Sequence, residues 1–446
     1  MTRYTSVTDR DRREMLAAIG ASSVEELFAE VPAEVRLGRD LELPAGMAET
    51  EVHDLLAGLA RRNADADREL CFIGAGMYDH YVPAVVDAIT QRSEFLTPYT
   101  PYQPEVSQGH LQAMFEFQTA MSELTGLPVS NASLYEGPSS VASAGYLAIA
   151  ATGRRRFVAS RGVHPHSREA LATYSTGFGA AIAEVGLRDG LTDAEDLVEA
   201  LDEDTAAVFL QSPNFLGSVE DVAALAEHAR NVGALLVVSV DPMTLGVLRP
   251  PGECGADIVA GEGQALGVPM SFGGPYLGVF ATQEKYMRQM PGRLVGATLD
   301  REGRTGYVLT LATREQHIRR EKATSNVCTN SGLCALAATI HLSLLGRKGL
   351  AELARLNHAR ARMLRDAMER AGFAPVFSGP VFNEQAFDVG DAEAVVARLA
   401  KRGVAAGAPL ARWYPDLPGA KGALLCVATE LHTPELIELF ARSVRS

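Results

Sequence analysis

Lysine is scarce in this sequence. Only Lys285, Lys322, Lys348, Lys401 and Lys421 occur in 446 residues, and none precedes position 285. Chemistry that runs through a lysine amine, such as a Schiff base with a carbonyl group, therefore has few places to happen. Cysteine is as sparse. Cys71, Cys254, Cys328, Cys334 and Cys426 are odd in number and include no CxxC pair, which argues for a reducing compartment and against a disulfide frame or zinc knuckle. Cys328 and Cys334 have a poor ligand spacing and read as small apolar fillers near a helix start, and no metal site is expected. Aromatic residues make up 7% of the chain, with one tryptophan, Trp413. No apolar run approaches the roughly 18 residues of a membrane span. The stretch from Met1 to Met15 is polar and lacks the apolar core of a signal peptide, so a cytoplasmic protein is expected. Positive charge is also short: 41 basic against 55 acidic residues leave a net charge of -14. Such a surface repels nucleic acid and anionic lipid unless a local basic patch intervenes. The one basic cluster, Arg314 to Lys322, is interleaved with Glu315 and Glu321 and reads as a solvated helix face or a salt-bridged turn.

What is present is apolar bulk. Hydrophobic residues make up 47% of the chain, mostly Ala, Leu and Val, which suits helices layered on a sheet. The length points to more than one domain. Residues 1–65 read as a helical and extended arm, with helical spacing over Arg10–Ile19 and Val24–Ala29 and a break at Val31-Pro32. From 66 to 332, short apolar strands alternate with amphipathic helices. Strands are predicted at Phe157–Ser160, Ala181–Val185, Ala206–Gln211, Ala234–Val240, Asp257–Ala260 and Leu277–Ala281. Helices are predicted at Leu111–Thr125, Pro138–Thr152, Ala194–Leu201 and Val222–Asn231. This alternation indicates an α/β domain with a mainly parallel sheet covered on both faces. Residues 333–446 begin with two long helices, 333–345 and 350–371, and continue as a smaller α+β domain.

Several segments carry chemistry or mimic it. Phe72-Ile-Gly-Ala-Gly-Met77 starts like a dinucleotide fingerprint but has Asp79 at the third glycine position, so it reads as a tight turn. Glu136-Gly-Pro-Ser-Ser140 opens a helix and is either a phosphate cradle or an ordinary N-cap with Pro138 at the first position. Val237–Pro242 is a buried strand ending in Asp241, an acid placed to hold a ring nitrogen or to cap a turn. Phe95–Gly109 has prolines at spacing three and presents Tyr99 and Tyr102 from a stiff, extended run; the alternative is an interdomain brace. Thr313–Asn326 concentrates Arg314, His317, Arg319, Arg320 and Lys322, and like charges there disfavour protonation of the histidine.

The segments TPYTPYQPEVSQG, NASLYEGPSS, QSPNFLG, DPMTLGVL, GPYLGVF and TREQHIRREKATSNVCTN resemble the P-protein family of the glycine cleavage system. Within it, they resemble the first chain of the split, two-chain form. The resemblance runs from about residue 5 to the end. It implies the aminotransferase-like fold type I of pyridoxal-phosphate enzymes and a reaction in which glycine loses CO2 and its aminomethyl group passes to the lipoyl arm of H-protein. In cofactor-binding relatives a lysine follows a histidine after the acid-bearing strand; here Gln264-Ala265 stand in that place. Gly137, His164 and Asp241 occupy positions similar to the cofactor site, while Pro138 removes a backbone donor from any phosphate cradle. The resemblance thus implies a vestigial pocket at Gly137, His164, Asp241, Gln264 and Ala265, and pyridoxal phosphate carried by a partner chain, with two copies of each. Tyr99, Tyr102, Arg314 and His317 are then candidates to contribute to the partner's active site. The competing expectation is a non-catalytic scaffold or regulatory paralogue, which would have no evident use for the tyrosines or the TREQHIRR run.

Overall fold

The computed structural model describes residues 6–66, 68–323 and 325–446; the first five residues of the expected arm lie outside it. All six strands predicted for the large domain form, and Val129–Ser130 joins them in one seven-stranded sheet. In chain order they are β1 (Val129–Ser130), β2 (Arg156–Ser160), β3 (Ala181–Val185), β4 (Thr205–Gln211), β5 (Leu235–Val240), β6 (Ile258–Glu262) and β7 (Gly278–Thr282). Across the sheet the order is β1-β7-β6-β5-β4-β2-β3. Strands β2 to β6 pair in parallel, and β7 runs antiparallel to both β6 and β1. Every residue of β5 is buried, as its nearly all-apolar sequence requires of a central parallel strand.

Successive side chains of a strand point to opposite faces, and two cores follow. Phe157, Phe209, Val237, Ala260 and Phe280 pack with Val141, Ala144 and Leu147 of the helix Gly137–Thr152. Val158, Val208, Leu236, Val238 and Val259 pack with Leu225 and Ala229 of the helix Val222–Asn231. The carboxyl ends of β4, β5 and β6 therefore share one edge, fixed in register by pairs such as Val237 with Ile258.

The two helices expected after 333 are assigned as one run, Gly332–Arg370, interrupted at Gly346. Its φ of 57° and ψ of -177° are open to glycine and strained for any other residue. The C-terminal part holds a three-stranded antiparallel sheet of Glu384–Asp388, Ala423–Val427 and Ala408–Pro409. Phe387, Leu399, Leu424, Ile437 and Phe440 fill its core. A hairpin of Leu294–Leu299 and Thr305–Thr310 was not legible in the sequence, because only Leu294 and Val295 are buried and neither strand alternates cleanly.

The chain divides into two units, Met1–Ala64 and Asp65–Ser446. In the first, neither Asp9–Ala18 nor Glu49–Ala60 has a buried residue. Among the described residues no helix is long and apolar enough to cross a membrane, and no group of three His, Cys, Asp or Glu side chains is placed to hold a metal ion.

Candidate functional site

The carboxyl edge of the large sheet opens into a cavity of about 450 Å³, bounded by Gln211, Asp241 and Glu262 from the strand ends, by Glu136 and Gly137 at a helix start, and by Glu384 of the smaller sheet. Asp241 caps the short 3-10 turn Pro242–Gly246: its Oδ1 accepts from the Met243 N–H at 2.9 Å. Its Oδ2 is buried and has no partner. Burial pushes its carboxyl above the ordinary range, and the charge of His80 pulls it part of the way back.

The helix Gly137–Thr152 begins at this cavity, and its first amide donors are accounted for within the chain. Gly137 N–H donates to Glu262 Oε2 at 2.9 Å. Pro138 has no N–H. Ser139 N–H donates to Glu136 Oε1 at 2.9 Å, and Ser140 N–H donates to the Glu136 carbonyl. Glu262 Oε1 also accepts from Gln264 and Leu277 N–H, each at 2.9 Å. Burial nevertheless raises its carboxyl to about 7, against the pull of these donors.

On the other wall Glu384 accepts from Ala75 N–H at 2.6 Å and from the Tyr78 hydroxyl at 2.9 Å, and burial raises its carboxyl to about 7. The Gly74–Gly76 turn exists to allow this approach. A Cβ at Gly74 would strike the Glu384 carboxylate, and one at Gly76, where φ is +96°, would strike the His164 ring. His164 Nε2 donates to the Ala75 carbonyl at 2.8 Å, and its Nδ1 accepts from His166 N–H. Burial depresses it to about 4, so the ring is neutral and serves as a fastener. Gln264 clamps Tyr78, accepting from its N–H and donating to its carbonyl, both at 3.0 Å, and donates to the Val268 carbonyl at 2.7 Å. Ala265 is 3% exposed and lines the cavity next to Gln264. Among the described residues no lysine or arginine lines the cavity. Lys285 lies at the opposite edge of the sheet, 3.9 Å from Asp257 and largely exposed.

A second recess, about 830 Å³, is lined by Tyr102, Arg293, Glu315, His317, Arg320 and Cys328 among others. This guanidinium is 4% exposed. Nη1 meets Glu315 Oε2 at 2.7 Å, and Nη2 donates to the Tyr102 hydroxyl at 2.9 Å and to the Cys328 carbonyl. It also lies 5.0 Å from the centre of the Tyr102 ring, a cation–π distance. His317 Nδ1 is 3.4 Å from the same Glu315 oxygen, and its ring meets that of Tyr102 edge-on. Tyr99 reaches the Cys328 sulfur at 3.7 Å. The hydroxyl-bearing rings stand out into solvent, Tyr99 73% and Tyr102 53% exposed.

The structure thus brings Tyr102 and His317 together at one recess, places Tyr99 beside it through Cys328, and leaves Arg314 apart. Arg314 is spent on the Met290, Gly292 and Leu311 carbonyls and braces the loop. Of the two cysteines read as fillers, Cys334 is buried and Cys328 is exposed. Sequence reasoning missed Arg293, a lone cation between Pro291-Gly292 and an apolar strand. It also missed Glu262 and Glu384, whose burial arises from the topology.

The family described as glycine cleavage system P-protein matches residues 2–440. A protein of Anaeromyxobacter dehalogenans, described as probable glycine dehydrogenase (decarboxylating) subunit 1, is 59% identical over 446 residues, all of both chains. The crystal structure of a glycine decarboxylase (P-protein) of the glycine cleavage system, in inhibitor-bound form, superposes with a TM-score of 0.90 at 44% identity, over 100% of this chain and 99% of that one. Aspartate aminotransferase from Thermus thermophilus shares the fold alone, with a TM-score of 0.58 at 15% identity over 90% of this chain and 96% of that one. The architecture is accordingly that of fold type I pyridoxal-phosphate enzymes, and the chain belongs to the glycine cleavage system P-protein family.

Proposed function

We propose that this chain is the half of a two-chain glycine decarboxylase that does not hold pyridoxal phosphate, and that it works with a cytoplasmic partner chain that does, two copies of each forming the enzyme. The observation that carries this reading is the state of the helix start at Gly137. A phosphate needs free amide donors at a helix N-terminus. Here Glu262 and Glu136 already take them, with no arginine or lysine nearby to offset two carboxylates. With Ala265 where the amine would be, the cofactor does not fit this chain. Bound to the partner, pyridoxal phosphate supplies the electron sink for loss of CO2 from glycine, and the lipoyl arm of H-protein takes the aminomethyl group.

This chain's contribution is the Arg293 recess. Because Tyr102 accepts from Arg293, its own hydroxyl hydrogen is free to be donated outward. A donor polarised by a buried guanidinium suits a carboxylate brought up by the facing subunit. The proline-rich run holds the ring in place with little conformational freedom to lose on docking. The test is borohydride reduction of the two-chain complex with pyridoxal phosphate, followed by peptide mapping. Label confined to the partner, with bicarbonate exchange that needs both chains, is the expected outcome. A reduced pyridoxyl peptide around Lys285 or Lys322 would overturn the reading.

A further inference from the structure

The recess at Arg293 has two unlike walls. One is ionic and carries Arg293, Glu315, His317 and Arg320 from the stretch that follows β7. The other is aromatic: Tyr146 comes from the helix Gly137–Thr152, and Tyr174 and Phe178 come from the helix Pro165–Phe178. Phe178 joins the group, its ring centre 5.1 Å from that of Tyr146 and 6.0 Å from that of Tyr174, both ordinary separations for aromatic pairs. The Tyr146 hydroxyl donates to the Ala323 carbonyl at 3.0 Å, which ties this wall to the loop leading on to Cys328. All three rings are half-buried. Among the described residues, neither helix contributes a charged side chain to the recess. A volume of about 830 Å³ is far more than a molecule of glycine's size fills, and the aromatic side offers no charge for glycine to bind.

We propose that Tyr146, Tyr174 and Phe178 form the track along which the acceptor arm reaches the reaction, and that they set how tightly the arm is held. This rests on the reading that the recess faces the partner's active site, and it extends that reading to recognition of the second substrate. The wall suits one kind of occupant: a long, thin, uncharged chain that ends in sulfur. Methylene groups of such a chain leave water against the rings, and its sulfur makes favourable contacts at ring edges. A charged segment of a facing chain would bring a charge that this wall leaves unpaired; an amide-linked lipoyl arm brings none. The three rings are specificity-determining residues, because they touch the arm and not glycine.

The test uses the assembled two-chain enzyme with pyridoxal phosphate and follows CO2 release from carboxyl-labelled glycine, with free lipoamide or lipoylated H-protein as the acceptor. In Phe178→Ala the KM for both acceptors should rise about tenfold, as loss of part of one ring's buried surface implies, while the KM for glycine stays close to wild type. Tyr174→Ala should raise both acceptor values by a smaller factor, and it decides the matter should the Phe178 variant not assemble. The proposal is overturned by wild-type acceptor KM values in the assembled variants. It is overturned as well by a rise confined to H-protein, which makes the wall a docking face for the body of that protein, or by an equal rise for glycine, which makes it part of the glycine site. Arg293→Ala, assayed in parallel, separates the two claims. If Arg293→Ala is impaired and Phe178→Ala is not, this inference alone fails. If both are silent, the recess has no place in the reaction, and the reading beneath the inference fails with it.

Discussion

The cavity at the strand ends and the recess at Arg293 share one helix. Gly137 and Pro138 at its start face the cavity, while Ser143 and Tyr146, less than three turns on, face the recess. Their polar logic is opposite. In the cavity, carboxylates are held by backbone N–H groups of the same chain, and the helix start offers a newcomer no free donor. In the recess, a cation is held by one carboxylate, and the groups around it, Tyr99, Tyr102 and His317, are exposed. The helix start in the cavity has its donors already taken, whereas the tyrosines and the histidine at the recess face solvent. The two regions thus differ in whether their polar groups are already paired, which residue identity alone does not reveal.

The comparison breaks most visibly at Arg293. Arg293→Ala removes the centre of the recess and strands Glu315, and glycine-dependent bicarbonate exchange by the assembled two-chain enzyme should fall by about a hundredfold, near 2.7 kcal/mol of lost stabilisation. Exchange within threefold of wild type, in an intact complex, would remove the recess from the reaction. Tyr102→Phe keeps the ring and deletes the hydroxyl, so turnover should drop by roughly tenfold, the size of a hydrogen bond worth about 1.4 kcal/mol, with assembly and cofactor content unchanged. Tyr99→Phe should cost less, since that hydroxyl reaches only the Cys328 sulfur. If both phenylalanine variants turn over normally and only alanine substitution dissociates the complex, the run is a brace.

On the cavity side, Ala265→Lys should give no internal-aldimine absorbance with pyridoxal phosphate. It should also lower stability to urea by about 1–3 kcal/mol, because a long side chain is forced into a position only 3% exposed. The smallest effect concerns pH. The Glu384 carboxyl rises from an ordinary 4.5 to about 7 through burial. A raised folded value means the protonated form is favoured in the native state, so this stability is present in full below 4.5 and is lost as pH rises through 7. Glu384→Gln removes that loss, and its melting temperature relative to wild type should climb by a few degrees between pH 5 and pH 8. A difference that stays flat or falls over that range would contradict the assigned burial.

Much of the fold was legible because parallel strands are written as continuous apolar runs. Leu235–Val240 is the clearest, and Val222–Asn231 matched its predicted helix end for end. The Pro165–Phe178 helix escaped notice because its N-cap is a histidine, His164, a residue outside the usual capping set. Of the site, Asp241 and the tyrosines were found by position in the chain. Glu262 and Glu384 were not, since their burial arises only when segments far apart in sequence close on one another. Arg293 was missed for the same reason: its partners Tyr102, Glu315 and Cys328 come from three separate stretches.

The first unit presents Leu27, Phe28, Leu41, Leu43, Leu55 and Leu56 to water, and its two α-helices bury nothing. Ordering each residue there costs about 1–2 kcal/mol of backbone entropy, with little buried apolar area to offset it. A segment of this kind is stabilised by mass action from whatever covers it. Cells that synthesise this chain in excess of its cover would carry a sticky, protease-sensitive end on each surplus copy.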